Sequence, residues 1–168
     1  MSPRYRELVL AVHPTSKGFG WVLFESPLAP VVWGIVSARA GRNAHLMMRF
    51  ERLLDRYEPS VLVLEEFERE ISRRRERIRN LCRAMLHLAS TRGVESPIYS
   101  RAAVNTCFRS IGAMTRHEIA LAVAQHIEVF RRRLPPKPSI WTGEDARQSL
   151  FDAAALALTH FAVHGHPP

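Results

Sequence analysis

The sequence predicts an α/β fold in which a mixed five-stranded sheet has helices on both faces. Three apolar runs come first, at residues 8–12, 19–24 and 31–36, and turn-forming residues separate them. Short apolar runs joined by turns predict an antiparallel meander of three strands. Helical and strand patterns then alternate, which is typical of strands that add in parallel to a sheet covered by helices.

Composition indicates one domain with an anionic partner. The chain has 168 residues and 46% hydrophobic content, enough for a single core over residues 1–168. The two cysteines lie in apolar helical patterns, which predicts that they form no disulfide. The sequence shows no leader-like or membrane-spanning run, so we expect a soluble cytoplasmic protein. The formal charge is +8 at pH 7, which makes nucleic acid the first partner to consider, the alternative being a protein whose surface is simply basic.

The middle of the chain predicts two helices around a buried strand. Residues 43–57 have apolar side chains at helical spacing, and Asn43 is a plausible cap for this helix. The run 61–64 is wholly aliphatic, as expected for a central strand covered on both faces, and Glu65 stands at its end. An arginine-rich helical pattern follows over residues 68–92.

The last third of the chain predicts a short strand and three more helices. The strand covers residues 96–100, and the helices cover 102–108, 115–130 and 142–161, with a basic, proline-rich connector before the last. Each of the last two helices opens on a capping box, in which a threonine and an acid three residues later bind backbone N–H groups. The two pairs are Thr115 with Glu118 and Thr142 with Asp145.

Polar residues stand at positions where this topology would bring them together. His13 and Glu65 follow the first and fourth strands, and parallel neighbours present their carboxyl ends at one edge of a sheet. On the last helix Asp152 shares a polar line with Ser149 and Asp145. Carboxylates in such a cluster suit Mg²⁺, and a histidine among them favours Mn²⁺. Phosphodiester hydrolysis, with two cations about 4 Å apart, is the chemistry that needs this arrangement.

Four stretches resemble the RuvC family of Holliday-junction resolvases, and they follow one another in the family's order. They are AVHPTSKGFGWVLFE, VLVLEEFE, SPIYSRAAVNTCFRSIGAMTRHEI and FDAAALALTHF. The resemblance covers nearly the whole chain and implies an RNase H-like fold. It also implies an endonuclease that acts on branched or structured DNA as a homodimer, with Mg²⁺ or Mn²⁺ as cofactor.

The resemblance also implies which residues form the site. Glu65 and Asp152 match two of the family's acids, while His13 and Ser149 stand where two further ligands are expected. The predicted catalytic and metal-binding set is His13, Glu65, Asp152 and Asp145. His13 could be a ligand, a general base, a structural residue or the relic of a lost site. Asp145, about 10 Å from Asp152 along a helix, could serve a second ion or only cap the helix with Thr142.

Basic residues near these positions are expected to bind phosphates of the nucleic acid. They are Lys17, Arg73, Arg74, Arg75, Arg77, Arg109 and Arg116. The arginine run could instead be a solvated helix face paired with glutamates. The leading hypothesis is therefore a metal-dependent endonuclease. The alternative is a RuvC-like nucleic-acid-binding module that has lost catalysis, and a weaker one is a nuclease that acts on RNA.

Overall fold

The computed structural model describes residues 7–39, 42–69, 73–139 and 145–167, except for the side chains of 73–75. Five strands, five α-helices and one 3₁₀ helix lie in these ranges. In chain order they are β1 (Val9–Thr15), β2 (Gly18–Ser26), β3 (Ala29–Ser37), α1 (Asn43–Tyr57), β4 (Val61–Glu65), α2 (Arg73–Thr91), β5 (Ile98–Tyr99), α3 (Arg101–Arg109), α4 (Arg116–His126), the 3₁₀ helix (Glu128–Arg133) and α5 (Gln148–Val163). None of the described helices is long and apolar enough to cross a membrane.

One sheet with the strand order β3-β2-β1-β4-β5 forms the centre of the molecule. The first three strands pair antiparallel, β4 pairs parallel with β1, and β5 pairs parallel with β4. The mixed five-stranded sheet predicted from the apolar runs is therefore confirmed. Because β1 and β4 are parallel neighbours, their carboxyl ends, with His13 and Glu65, lie at the same edge of the sheet.

Each face of the sheet packs against its own set of helices. Alternate residues of β1 and β4 belong to two separate clusters of buried side chains. Val9 and Val63 pack with residues of α3, α4 and α5, while Leu10 and Leu64 pack with residues of α1 and α2. Both central strands thus have two apolar faces, which explains why residues 61–64 are aliphatic without alternation.

The predicted helix starts are right in one case and wrong in another. Thr115 and Glu118 form the predicted capping box at the start of α4. Asn43 does not cap α1, because it is the first helical residue, and Arg42 precedes it without a side-chain capping bond. The Asn43 amide instead donates to the carbonyl of Arg77 on α2 at 3.1 Å. Its side chain therefore links α1 to α2.

Two helix boundaries differ from the prediction. α4 ends at His126, and the chain continues as a 3₁₀ helix to Arg133, so the start of the predicted connector is helical. α5 begins at Gln148, not at 142. The Asp145 carboxylate accepts the N–H of Arg147 at 2.9 Å and holds a turn there. The proposed pairing of Asp145 with Thr142 lies outside the described residues.

α5 lies directly against β2 because β2 has a glycine at the contact. A Cβ atom added to Gly20 would lie 2.3 Å from the carbonyl carbon of Ser149. Gly20 is also the partner of His13 in the β1–β2 ladder. The missing side chain thus lets the start of α5, and Asp152 on it, approach the end of β1.

Replacing Gly20 with alanine is expected to lower the free energy of unfolding by about 1–3 kcal/mol, because the added methyl group overlaps backbone atoms that cannot yield without moving α5. Urea unfolding followed by circular dichroism measures the change. Ser37→Ala, at an exposed position of β3, is the control and is expected to unfold as the wild type does. An unchanged midpoint for Gly20→Ala would contradict the close helix–strand contact.

Candidate active site at the edge of the sheet

His13, Glu65 and Asp152 meet at the carboxyl ends of β1 and β4. The imidazole lies between the two acids, with Nδ1 3.4 Å from Glu65 Oε2 and Nε2 3.5 Å from Asp152 Oδ2. All three side chains are largely buried, with 14%, 18% and 4% of their surface exposed, respectively. The structure therefore brings together three of the four predicted catalytic residues, while their roles stay predictions.

Each of the two acids is held by an arginine. Arg101 donates from Nε and Nη2 to the two oxygens of Glu65, at 2.8 and 2.7 Å. Arg116 donates from Nε to both oxygens of Asp152 at 3.1 Å, and its Nη2 also contacts Oδ2. Gln148 adds a hydrogen bond to Asp152 Oδ1 at 3.1 Å. Both carboxylates thus accept paired, charge-assisted hydrogen bonds, the strongest kind in proteins.

These contacts keep both acids ionised in spite of their burial. Burial raises the pKa of Glu65, but His13 and Arg101 together lower it further, so the pKa lies below its usual value. For Asp152 burial again raises the pKa, and His13 and Arg116 outweigh that effect. The site therefore contains two carboxylates balanced by two guanidinium groups.

We expect the two paired carboxylates to make the free energy of unfolding depend on pH in the acid range. Because folding lowers both pKa values, the stabilisation is present above the unfolded-state values, about 3.9 for Asp and 4.3 for Glu, and is lost as the pH falls through the folded-state values. Urea unfolding between pH 6 and pH 3 measures this loss. The variant Glu65→Gln with Asp152→Asn is expected to lose less stability over the same range. An equally steep loss in that variant would show that other groups cause it.

Asp145 and Ser149 have partners outside this cluster, and the metal-binding role of Asp145 stays a prediction. The Asp145 carboxylate pairs with the guanidinium of Arg147 at 2.7 and 3.0 Å, and this neighbour lowers its pKa to about 2. Ser149 is buried and donates to the carbonyl of Ala146 at 2.7 Å. Both residues line a smaller cavity together with Lys17. Asp145 therefore lines a different cavity from His13 and Glu65.

The donors at the site do not fit two divalent cations. Both carboxylates are already engaged by arginines, and the imidazole ring of His13 occupies the space between them. A neutral imidazole offers one lone pair, whereas a carboxylate has two oxygens that can be shared between cations. His13 Nδ1 is buried and makes no hydrogen bond to a described residue. Within the described residues, no group of three or more His, Cys, Asp or Glu side chains has the geometry of a metal site.

A cleft of about 890 Å³ opens at His13 and Glu65, which both line it. Its walls come from the end of β1, the segment after β4, α2, and the starts of α3 and α4. Four arginines line it. They are Arg69, Arg79, Arg101 and Arg116. The cleft is therefore rich in groups that bind phosphate bidentately.

The predicted phosphate-binding residues are spread over several surfaces. Arg116 lies in the cleft, and Arg77 stands beside it, donating to the carbonyl of Ser16 at 2.5 Å. Lys17 lines the smaller cavity. Arg109 is exposed at the far end of α3, about 12 Å along the helix from Arg101. Arg73, Arg74 and Arg75 form the first turn of α2, and their side chains lie outside the described part of the chain.

Three of the four arginines that line the cleft are not among the predicted phosphate-binding residues, namely Arg69, Arg79 and Arg101. Glu65 pairs with Tyr99 in the β4–β5 ladder, and Arg101 follows β5 by two residues. The rule that placed His13 beside Glu65, that parallel strands end at one edge, would also have placed Arg101 there. Arg79 ends the basic run 72–79, which as a whole is expected near the site, whereas nothing in the sequence singles out Arg69.

Comparisons with known proteins show what this architecture is similar to. No protein-family profile and no curated protein sequence matches the chain. The structure of Thermus thermophilus RuvC in complex with a Holliday junction substrate superposes with a TM-score of 0.66 and 22% sequence identity, over 95% of this chain and 97% of that one. A second T. thermophilus RuvC structure gives a TM-score of 0.62 and 21% identity, over 95% and 98%. The chain therefore has the RuvC fold, as its sequence predicted.

Proposed function

We propose that this protein binds branched or otherwise structured DNA in the arginine-lined cleft. The observation that carries the proposal is the position of four arginines around a cleft at the carboxyl ends of β1 and β4, where two of them already neutralise the acids. Without those arginines, Glu65 and Asp152 would repel a phosphate. With them, the cleft can accept the DNA backbone.

Two further observations support DNA as the ligand. The formal charge of +8 favours association with a polyanion. The T. thermophilus RuvC structure that is similar over nearly the whole chain contains a Holliday junction. Branched DNA is therefore the first substrate to test.

Fluorescence anisotropy tests this proposal with a labelled four-way junction and a linear duplex of the same length. We expect salt-dependent binding that is at least about tenfold tighter for the junction, a difference of about 1.4 kcal/mol. A single-stranded RNA probe tests the RNA alternative. Equal affinity for junction and duplex, or tightest binding to the RNA, would contradict a preference for branched DNA.

A second candidate function is phosphodiester hydrolysis, and a specific observation favours it. His13, Glu65 and Asp152 are side chains of the kind that activate water or bind Mg²⁺ or Mn²⁺. They meet in one cluster, and two of them, His13 and Glu65, line the cleft. His13 could act there as the general base. Two features argue against a mechanism with two cations. Arginines already bind both acids, and the residue between the acids is His13 and not a carboxylate that two cations could share.

A cleavage assay separates the two candidates. A four-way junction labelled on each strand in turn is incubated with wild type or Glu65→Gln, with Mg²⁺, Mn²⁺ or EDTA. Binding without nicking in every condition supports the DNA-binding module. Nicking by the wild type that is lost in Glu65→Gln supports hydrolysis, and the EDTA reaction shows whether a divalent cation is needed.

The homodimer that the resemblance implies is also a proposal. A four-way junction has equivalent strands on opposite sides, so two copies of the site could act on it together. Light scattering in solution would give about twice the chain mass of 19.2 kDa if the dimer forms.

A further inference from the structure

We propose that Arg101 and Arg116 take the place of divalent cations in this protein. Together they form a phosphate-binding pair built on Glu65 and Asp152, so that the cleft binds a DNA phosphate without Mg²⁺ or Mn²⁺. This inference rests on the proposed binding of DNA. It names the groups that recognise the backbone, and it assigns the two buried acids the role of orienting them.

The layering of charge at the site supports this role. The carboxylates lie inside, with 18% of the Glu65 and 4% of the Asp152 side chain exposed. The guanidinium groups lie outside them, with 37% of Arg101 and 43% of Arg116 exposed. A ligand that enters the cleft therefore meets the positive groups before it meets the acids. Cations bound to the same carboxylates would create the same arrangement, with positive charge outside and negative charge inside.

The hydrogen-bond capacity of arginine allows such a double role. A guanidinium group has five N–H donors in a fixed plane. Arg101 uses its Nε and Nη2 groups for the two oxygens of Glu65, which is one edge of the plane. Nη1 and the remaining Nη2 proton form a second pair of donors. Such donor pairs of arginine match two oxygens of a phosphate. The pair with Glu65 thus orients Arg101 for a second anion.

The backbone places the two arginines in equivalent positions. Arg101 is the first residue of α3, after the capping Ser100, and Arg116 is the first residue of α4, after the capping Thr115. Both caps satisfy backbone N–H groups, as the hydrogen bonds from Ala103 to Ser100 and from Glu118 to Thr115 show. The two helix starts therefore fix the backbone positions of Arg101 and Arg116. The contacts with the acids fix the positions of their guanidinium groups.

The same contacts would keep a divalent cation out. Binding a cation to Glu65 or Asp152 requires that a bidentate guanidinium group first leave the carboxylate. The cation would then have to compete with His13 for the space between the acids. Removal of the arginines should therefore create a cation site that the wild type lacks.

Mn²⁺ titration monitored by electron paramagnetic resonance tests this inference on the full chain. The wild type is expected to bind no Mn²⁺ up to about 1 mM. For the variant Arg101→Gln with Arg116→Gln, we expect a dissociation constant for Mn²⁺ at least about tenfold below that concentration. The double variant Arg49→Gln with Arg52→Gln removes the same charge from exposed positions of α1. It is expected to behave as the wild type.

The outcomes separate this inference from the proposed function. Mn²⁺ binding by the wild type that is lost in Glu65→Gln would overturn the inference, even if the junction still binds. A folded Arg101→Gln, Arg116→Gln variant that gains no Mn²⁺ binding would overturn it as well. If that variant does not fold, Arg101→Gln alone is tested in the same way, because Glu65 remains partly exposed. Failure of the wild type to bind junction DNA, in contrast, would reject the proposed function.

Discussion

Replacing Arg101 and Arg116 together with glutamine is expected to weaken the binding of a four-way DNA junction by roughly 100-fold or more. A hydrogen bond to a charged group contributes about 1.5–3 kcal/mol, so two lost phosphate contacts correspond to about 3–6 kcal/mol, or about 2–4 powers of ten in affinity. The variant also uncovers Glu65 and Asp152, which adds repulsion between these carboxylates and the DNA backbone.

The dependence of affinity on salt gives a second readout of the same change. Each phosphate contact contributes about 0.9 to the slope of log affinity against log salt concentration, so loss of two contacts should lower the slope by about 1.8. The charge-matched control, Arg49→Gln with Arg52→Gln, lies on α1 away from the cleft and is expected to change affinity by less than about threefold. Similar losses for the two double variants would mean that net charge, and not the arginine pair, determines binding.

Replacing His13 with aspartate is expected to destabilise the protein in EDTA by roughly 2–3 kcal/mol. A third carboxylate would lie between Glu65 and Asp152. Two like charges about 4 Å apart repel one another by about 4 kcal/mol at an effective dielectric constant near 20, and the two arginines would offset only part of this repulsion. Urea unfolding in EDTA measures the loss.

Mn²⁺ is expected to restore most of the stability that His13→Asp loses. The new carboxylate has no arginine of its own, and a cation present at about 100 times its dissociation constant would stabilise the folded state by about 2.7 kcal/mol. His13→Asn, which adds no charge, is the control and should not respond to Mn²⁺. If His13→Asp were as stable as the wild type in EDTA and insensitive to Mn²⁺, the imidazole would not lie between the acids as described. If the protein is a nuclease, this variant should cleave junctions with Mg²⁺ at least as well as the wild type.

Much of the fold could be predicted because its signals are local. The aliphatic run 61–64, the turns between the first three strands and the Thr115 capping box each depend on a few neighbouring residues. Element boundaries were less predictable where a tertiary contact decides them. Asn43 has the side chain of a cap but binds the carbonyl of Arg77 on α2, thirty-four residues away. α5 starts late because Asp145 binds its neighbour Arg147.

The candidate site was only partly predictable, for a related reason. Strand-end geometry placed His13 beside Glu65, and helical spacing placed Asp152 near them. Spacing could not tell that Asp145, on the same polar line as Asp152, would turn toward Arg147. Carboxylates and a histidine at one sheet edge predict a cation site, and the arginines nearby then predict phosphate contacts. Spacing alone therefore does not reveal that arginines occupy both acids.

The affinity for a four-way junction in EDTA, compared with the affinity in Mg²⁺ at the same ionic strength, tests the central claim most directly. The claim is that Arg101 and Arg116, oriented by Glu65 and Asp152, hold the DNA phosphates. We expect the two dissociation constants to agree within about threefold, apart from the competition of Mg²⁺ for the DNA itself. Binding that is more than about tenfold tighter in Mg²⁺, and that loses this dependence in Glu65→Gln, would contradict it.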